Sequence, residues 1–234
     1  MNRTGSTARA AILLTSPMEL EDLGSRSGAI FSAGGAVTEF GSLRSGAAWS
    51  TIKVPLAIAA LTEETQGVVE RAITESDNDS ARALWESLGS PGDAAAAVER
   101  VLAAGGDRET RVQTEVVFPP YTPFGQTEWT LAAQHRFAAG LSGVPGAEPV
   151  LELMRRVIPE QRWGLAAVDP AAAIKGGWGP DPPGRALVRQ FGIFSVDGRT
   201  VTAAIANEPE DGAYETGAAN LTRIAEWVSA AVAR

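Results

Sequence analysis

The chain contains only two lysines, Lys53 and Lys175, against 18 arginines. Arginine stays protonated in proteins, whereas a lysine can lose its proton when it is buried. Because this chain uses arginine for nearly all of its cations, we interpret the two lysines as residues kept for a reaction that needs a titratable amine. That interpretation requires each lysine to stand among other residues able to take part in the same chemistry.

Lys53 follows Ser50 by three positions in the segment AAWSTIKVPL. A helix predicted over 51–62 would place both residues on one face, and Pro55 fits only near the start of such a helix. A serine hydroxyl is a weak nucleophile that needs a neighbouring base, and the apolar flanks predict a buried Lys53 able to be that base. The alternative is that Ser50 only caps the helix.

Lys175 begins the segment Lys175-Gly176-Gly177 on a predicted strand. Glycines weaken a strand unless something approaches its backbone closely, so this segment would present bare backbone and one cation to an anionic ligand. Between the two lysines, the sequence Ser-Asp-Asn at 76–78 stands at a break between two helical patterns. The alternative for the Lys-Gly-Gly segment is a strand bulge with a solvated lysine. The alternative for the Ser-Asp-Asn segment is a turn made of capping residues.

Composition excludes several functions. A net charge of −8 and a pI near 4.8 argue against nucleic acid or an anionic membrane as the main partner. The chain has no cysteine, and its one histidine, His135, cannot form a multi-histidine metal site. His135 is predicted to be a structural residue of a helix, and no metal or cofactor is predicted. No apolar run approaches the roughly 20 residues of a membrane span.

The hydrophobic patterns predict strands near both ends of the chain and helices between them. This segregation favours an α+β fold with an antiparallel sheet. We predict a sheet subdomain formed by 1–47 and 167–234, an all-helical subdomain over 48–166 inserted between the two parts of the sheet, and an active site between them. The predicted strands are a hairpin over 27–41 and segments 172–178, 187–196 and 200–207; the predicted helices are 51–62, 67–75, 80–88, 91–104, 127–141, 147–157 and 214–232.

Ser-x-x-Lys, then Ser-Asp-Asn, then a Lys-Gly segment follow one another in the order found in class A β-lactamases and penicillin-binding proteins. The chain resembles that superfamily from about Gly28 to its C-terminus. The nucleophile helix of the family is similar to the segment WSTIKVPL. The helix and approach to the loop that bears the deacylating glutamate are similar to LGSPGDAAAAVERVLAAGGDRETRV. The helix after that loop is similar to TEWTLAAQHRFAAGL. The resemblance implies the β-lactamase-like fold, with an antiparallel sheet flanked by helices.

The resemblance also implies roles for the residues of the first two motifs and the second lysine. Ser50 would be the acylated nucleophile and Lys53 its base. Ser76 would pass a proton to the leaving nitrogen, helped electrostatically by Lys175. Asn78 would hydrogen-bond the substrate amide.

Three more substrate-binding residues follow from the resemblance. The backbone N–H groups of Ser50 and Trp178 would form the oxyanion hole, next to Gly177 on the same strand. Arg185 lies one residue from the place where class A enzymes carry an arginine for the substrate carboxylate. The side chain of Trp178 is also expected to wall the cleft.

The sequence departs from the family pattern at two places. Gly176 replaces the threonine or serine whose hydroxyl meets the substrate carboxylate. The loop after Arg111 is short and lacks the glutamate and the Leu-Asn pair that activate the deacylating water. Glu115, one residue out of register, is the candidate for that base.

These residues predict a β-lactamase-like serine hydrolase that acts on a β-lactam, amide or ester bond, with slow deacylation. The alternatives are a D-alanyl peptidase or penicillin-binding-like acyl transferase, an esterase, or a non-catalytic sensor of a cell-wall ligand on the same fold. The expected partner is a small-molecule or peptidoglycan-like substrate. The family implies an exported or cell-envelope location, although the segment AAILL near the start is too short for a signal-peptide core.

Overall fold

The computed structural model describes residues 25–180, 184 and 186–234. Five antiparallel strands form one sheet in the order β2-β1-β5-β4-β3. The chain builds the β1–β2 hairpin first, leaves the sheet for a series of helices, and returns to it at the opposite edge. The strands are β1 Ser25–Ala33, β2 Ala36–Gly41, β3 Ala173–Pro180, β4 Ala186–Val196 and β5 Arg199–Pro209.

Seven helices lie between β2 and β3 in the chain, and one follows β5. This order confirms the predicted α+β fold, with a helical block inserted between two parts of an antiparallel sheet; the division into two subdomains stays a prediction. The helices are α1 Lys53–Ala60, α2 Gln66–Thr74, α3 Asn78–Ser87, α4 Pro91–Ala104, α5 Leu131–Gly140, α6 Glu148–Arg155, α7 Leu165–Val168 and α8 Tyr214–Ala233.

Local capping sets where several helices begin. Ser90 accepts from the backbone N–H of Asp93, whose carboxylate in turn accepts from the Ser90 N–H, so α4 starts with a reciprocal capping box. The helix predicted from position 127 begins instead at Leu131, because Thr130 caps it through the N–H of Ala133. Within the described residues, no helix is both long and apolar enough to cross a membrane.

The sheet is covered on both faces. On one face, α5 packs against β1 and β5, and an apolar cluster continues from there into the helical block. On the other face, α8 packs against β4 and β5 beside α7, around a second cluster. The strands other than the exposed edge strand β2 therefore bury side chains on both faces, and the helical block is joined to the sheet through α5 and its neighbours.

His135 on α5 lies in a small polar network at this interface. Its Nε2 is 2.9 Å from Ser32 Oγ and 3.3 Å from Thr202 Oγ1, and the two hydroxyls are 2.8 Å apart. Burial, followed by the neighbouring charge of Arg136, lowers the pKa of His135 to about 4. The imidazole is therefore neutral at pH 7 and bonds β1 and β5 to α5.

We expect this histidine to make the protein less stable in mild acid. Its folded pKa of about 4 lies below the unfolded value of 6.5, so between these limits the unfolded chain binds more protons. The contribution is complete above pH 6.5 and falls as the pH drops toward 4, by about 2–3 kcal/mol at pH 4.5. Urea unfolding of the wild type and His135→Gln at pH 7 and 4.5 measures it, because the variant keeps polar groups but cannot titrate. An equal loss of stability in both proteins would contradict the assignment.

Candidate active site

Ser50 lies in a 3₁₀ turn, Trp49–Ile52, that runs directly into α1. Trp49 has a φ of 48°, a left-handed conformation that is strained for a bulky residue and is held only by its surroundings. Thr51 helps to fix the turn, because its hydroxyl donates to the Ala48 carbonyl at 2.5 Å and accepts from Gln134 Nε2 at 3.0 Å. The serine therefore sits at the start of the helix, as the sequence predicted, but in a tighter turn than an ordinary N-cap.

A buried arginine fastens the segment that leads to Ser50 onto the sheet. Arg189 of β4 is 1% exposed. Its Nη1 donates to the carbonyls of Gly46 and Ala47 at 2.8 and 3.1 Å, and its Nη2 donates to the Trp129 carbonyl at 3.0 Å and Gln134 Oε1 at 2.9 Å. The sequence analysis missed this residue; an arginine within a strand otherwise rich in apolar residues was the available signal.

The structure brings Lys53 to the Ser-Asp-Asn segment. The Lys53 side chain is 2% exposed, and its Nζ donates to the Ser76 carbonyl at 2.5 Å, to Asn78 Oδ1 at 2.7 Å and to Ser76 Oγ at 3.3 Å. Ser76 has a φ of 60°, and Asp77 caps α3 by accepting from the Ser80 N–H at 2.7 Å. Lys53 thus joins the first two motifs, and its hydrogen bonds go to the second motif rather than to the Ser50 hydroxyl.

Lys175 reaches the same serine from the sheet. It is fully buried on β3, and its Nζ donates to Ser76 Oγ at 2.9 Å and to the Gly176 carbonyl at 3.0 Å. Both lysines of the chain therefore meet at one hydroxyl. All three motifs predicted from the sequence converge here, although 122 positions separate the two lysines in the chain.

Burial dominates the electrostatics of this pair. It lowers the pKa of Lys53 from 10.5 to about 7, while the carboxylate of Asp77 acts in the opposite direction. Burial and then the charge of Lys53 also lower the pKa of Lys175 well below its usual value. A neutral amine is thus available near pH 7. The electrostatic role expected of Lys175 needs its charged form, which its full burial and the second ammonium beside the shared hydroxyl disfavour.

Gly177 brings the backbone of β3 against the turn that carries Ser50. A Cβ at this position would lie 2.8 Å from the Ser50 nitrogen, 2.9 Å from the Thr51 nitrogen and 3.0 Å from the Ala48 oxygen, all of them backbone atoms that cannot yield. The sequence predicted that glycine in this strand marks a close backbone approach, and the approach is to the Ser50 turn. Gly177 itself does not line the cleft.

The departure at Gly176 has a steric explanation. A Cβ there would lie 2.7 Å from Cζ2 and 2.8 Å from Cη2 of Trp163. The indole of Trp163 therefore fills the space into which a threonine or serine side chain would project. The hydroxyl that the resemblance leads one to expect is replaced by an aromatic ring that comes from a different part of the chain.

A cleft of about 700 Å³ opens over these groups. Of the predicted residues, five line it: Ser50, Lys53, Ser76, Asn78 and Trp178. The sequence analysis missed several other lining residues, because they come from separate loops and share no spacing. These include Glu75, Arg82, Tyr121, Phe124, Gln161 and Tyr214.

Of the two remaining candidates, the structure describes only Glu115, which does not line the cleft. Glu115 is exposed and is not among the residues that line the cleft; its N–H donates to Gln113 Oε1 at 3.1 Å. The same loop lines the cleft through its later part, Pro120 to Thr122. Arg185 lies outside the described residues. Within the part of the chain that is described, no group of three His, Cys, Asp or Glu side chains is arranged to hold a metal ion.

The lysine pair gives a test that needs no knowledge of a substrate. A protein labelled with ¹³C-lysine has only two side-chain Cε signals, from Lys53 and Lys175. We expect the Lys53 signal to titrate near pH 7. Asp77→Asn should lower that pKa further, because it removes the opposing charge but keeps an oxygen able to cap α3. Titration of Lys53 near pH 10 would show that the amine is solvated.

No protein-family model matches the chain, and no curated protein matches it. Among solved structures it is similar to a class A β-lactamase from Bacteroides cellulosilyticus, with a TM-score of 0.74 and 14% identity over 92% of this chain and 94% of the other. It is also similar to a β-lactamase from Streptosporangium roseum, with a TM-score of 0.71 and 14% identity over 92% and 97%. A variant of the last common ancestor of class A β-lactamases of Gram-negative bacteria gives a TM-score of 0.69 and 19% identity over 91% and 95%. The chain therefore has the fold of the class A β-lactamases.

Proposed function

We propose that the protein is a serine hydrolase that forms an acyl-enzyme at Ser50 and acts on a β-lactam, amide or ester bond. One observation carries the proposal: in the cleft that Ser50 lines, two buried lysines converge on Ser76 Oγ, and the pKa of Lys53 is lowered to about 7. A structural ion pair would place a carboxylate beside a buried lysine. Here hydroxyl, carbonyl and amide oxygens surround both amines, an arrangement suited to moving protons.

In the proposed acylation, Ser50, Lys53 and Ser76 each have a distinct role. Neutral Lys53 accepts the proton of the Ser50 hydroxyl as Oγ attacks the carbonyl carbon. The carbonyl oxygen gains negative charge and accepts hydrogen bonds from the backbone N–H groups of Ser50 and Trp178. When the intermediate collapses, the bond to the leaving nitrogen or oxygen breaks. Ser76 donates its proton to that atom and regains one from a lysine ammonium, so the protons balance.

The contacts of Ser76 support its place in this proton transfer. Its Oγ lies 2.9 Å from Lys175 Nζ and 3.3 Å from Lys53 Nζ, so it joins the two amines. The proton that Lys53 takes from Ser50 has a route through Ser76 to the leaving group. Asn78 uses its Oδ1 to accept from Lys53 at 2.7 Å, which leaves its NH₂ group to donate to the substrate.

Deacylation has weaker support. Hydrolysis of the acyl-serine ester needs a water molecule held and deprotonated beside the carbonyl, and Glu115 is exposed away from the cleft lining. This favours a long-lived acyl-enzyme with β-lactams. A penicillin-binding-like acyl transferase or an esterase with the same residues would also form one. A non-catalytic sensor of a cell-wall ligand would form no adduct at all.

We expect Ser50 and Lys53 to act as one unit. Ser50→Ala should abolish covalent labelling by a penicillin or an activated ester, and the exposed Ser142→Ala is its matched control. Lys53→Arg should slow labelling by ~10²–10⁴-fold, because arginine keeps the charge but cannot accept the proton. Intact-protein mass spectrometry over time measures the labelling, with melting temperature as the check of folding. Near-wild-type labelling of Lys53→Arg would remove the role of the amine as a base.

We expect deacylation to limit turnover of β-lactams. A penicillin should give either a burst of product followed by slow turnover or a lasting adduct of the intact protein. Glu115→Gln should change the steady-state rate little, because the carboxylate does not line the cleft. A fast steady state in the wild type that disappears in Glu115→Gln, while acylation survives, would instead make Glu115 the deacylating base.

A further inference from the structure

We propose that the cleft selects substrates that carry an aromatic ring near the scissile carbonyl, and that Trp178 is the surface on which this ring stacks. The proposal rests on the acyl transfer at Ser50 proposed above and names the substrate class for that site. It follows from four features of the cleft wall: an exposed indole, the rings that hold it, the glycine that admits one of those rings, and a second aromatic pair.

Trp178 is exposed where a large apolar side chain would ordinarily be buried. Its side chain is 37% exposed and lines the cleft. It follows Gly177, whose backbone lies against the nitrogen of Ser50. The exposed indole and Ser50 line the same cleft. Exposed aromatic surface in a concave site marks a place where a ligand gains from contact.

Two further rings hold the indole in place. The ring of Tyr214 lies 4.8 Å from that of Trp178 at an interplanar angle of 40°, and 6.3 Å from that of Trp163 in an edge-on arrangement. Burial raises the pKa of Tyr214, so its phenol is neutral at pH 7. A ring already ordered by its neighbours loses little conformational freedom when a ligand stacks on it, which favours binding.

Gly176 is the substitution that makes this wall possible. The ring of Trp163 occupies the position that a Cβ of residue 176 would take, at 2.7 Å. Any side chain at 176 would displace Trp163 and, through Tyr214, the support of Trp178. Glycine at 176 therefore admits Trp163 behind the cleft, and through Tyr214 this ring supports the indole of Trp178 that lines it.

A second aromatic pair lines the same cleft. Tyr121 is 37% exposed, and its ring meets that of Trp49 at 5.1 Å, edge-on. Phe124 also lines the cleft. Lys53 and Ser76 line the same cleft as these rings, so a ligand with a carbonyl group and an attached planar ring satisfies both kinds of surface. Stacking between aromatic rings strengthens binding about 2- to 10-fold beyond the burial of area.

Binding to an unreactive protein tests the proposal independently of catalysis. In the Ser50→Ala variant, phenylacetamide and cyclohexylacetamide are titrated by NMR with observation of the indole N–H signals. These two neutral amides differ mainly in the aromaticity of the ring. We expect phenylacetamide to bind about 3- to 10-fold more tightly and to shift the Trp178 signal. Adding Trp178→Ala should abolish the preference, and Trp178→Phe should restore most of it.

Val37→Ala, also in the Ser50→Ala background, is the control, because Val37 is a 56% exposed apolar residue that does not line the cleft. An equal affinity for both amides, a preference that survives Trp178→Ala, or the same loss in Val37→Ala would each overturn the proposal. Since Ser50→Ala cannot be acylated, the result stands apart from the test of catalysis. A ring preference in a wild-type protein that no penicillin or ester labels would refute the acyl transfer and leave the aromatic site in place.

Discussion

The site depends on the cost of burying two amines beside one hydroxyl. A fully buried ammonium loses its hydration, and a second one nearby adds repulsion, so both groups are driven toward their neutral forms. Oxygens of Ser76, Asn78 and Gly176 accept the hydrogen bonds of the amines, and the carboxylate of Asp77 only partly offsets the effect of burial on the pKa of Lys53. A lysine that is neutral near pH 7 can accept a proton, and the fold places Lys53 and Ser50 in the lining of one cleft.

The two lysines of the pair belong to different parts of the fold. Lys53 begins a helix of the inserted block, which also carries Ser76, while Lys175 belongs to an edge strand of the sheet and reaches Ser76 from there. The glycine at 177 allows the strand to approach the Ser50 turn at backbone distance. The geometry of the site is thus a property of how the sheet and the helical block pack together, and neither part contains it alone.

The sequence predicted the candidate residues whose types and spacing depend on local chemistry. The scarcity of lysine pointed to both amines, and the order of the motifs joined residues that the fold brings together. The alternation and periodicity of apolar residues predicted the sheet and most of the helices. The sequence did not predict that Arg189, Trp163 and Tyr214 belong to the site, because their roles come from contacts between distant segments. The starts of α1 and α5 were also misplaced, since a 3₁₀ turn and a threonine cap decided them.

The hydrogen bonds of Arg189 affect how such a site can change over evolutionary time. Two of its four hydrogen bonds hold the segment before Ser50 against β4, and the other two hold Trp129 and Gln134. These residues form a frame for Ser50, and none of them lines the cleft. The aromatic lining of the cleft comes from other segments, including the loop at 120–125 and the start of α8. Substitutions in that lining can accumulate without moving the serine, whereas the frame tolerates little change. Selection for new ligands can therefore act on the walls of the cleft while the reacting atoms stay in place.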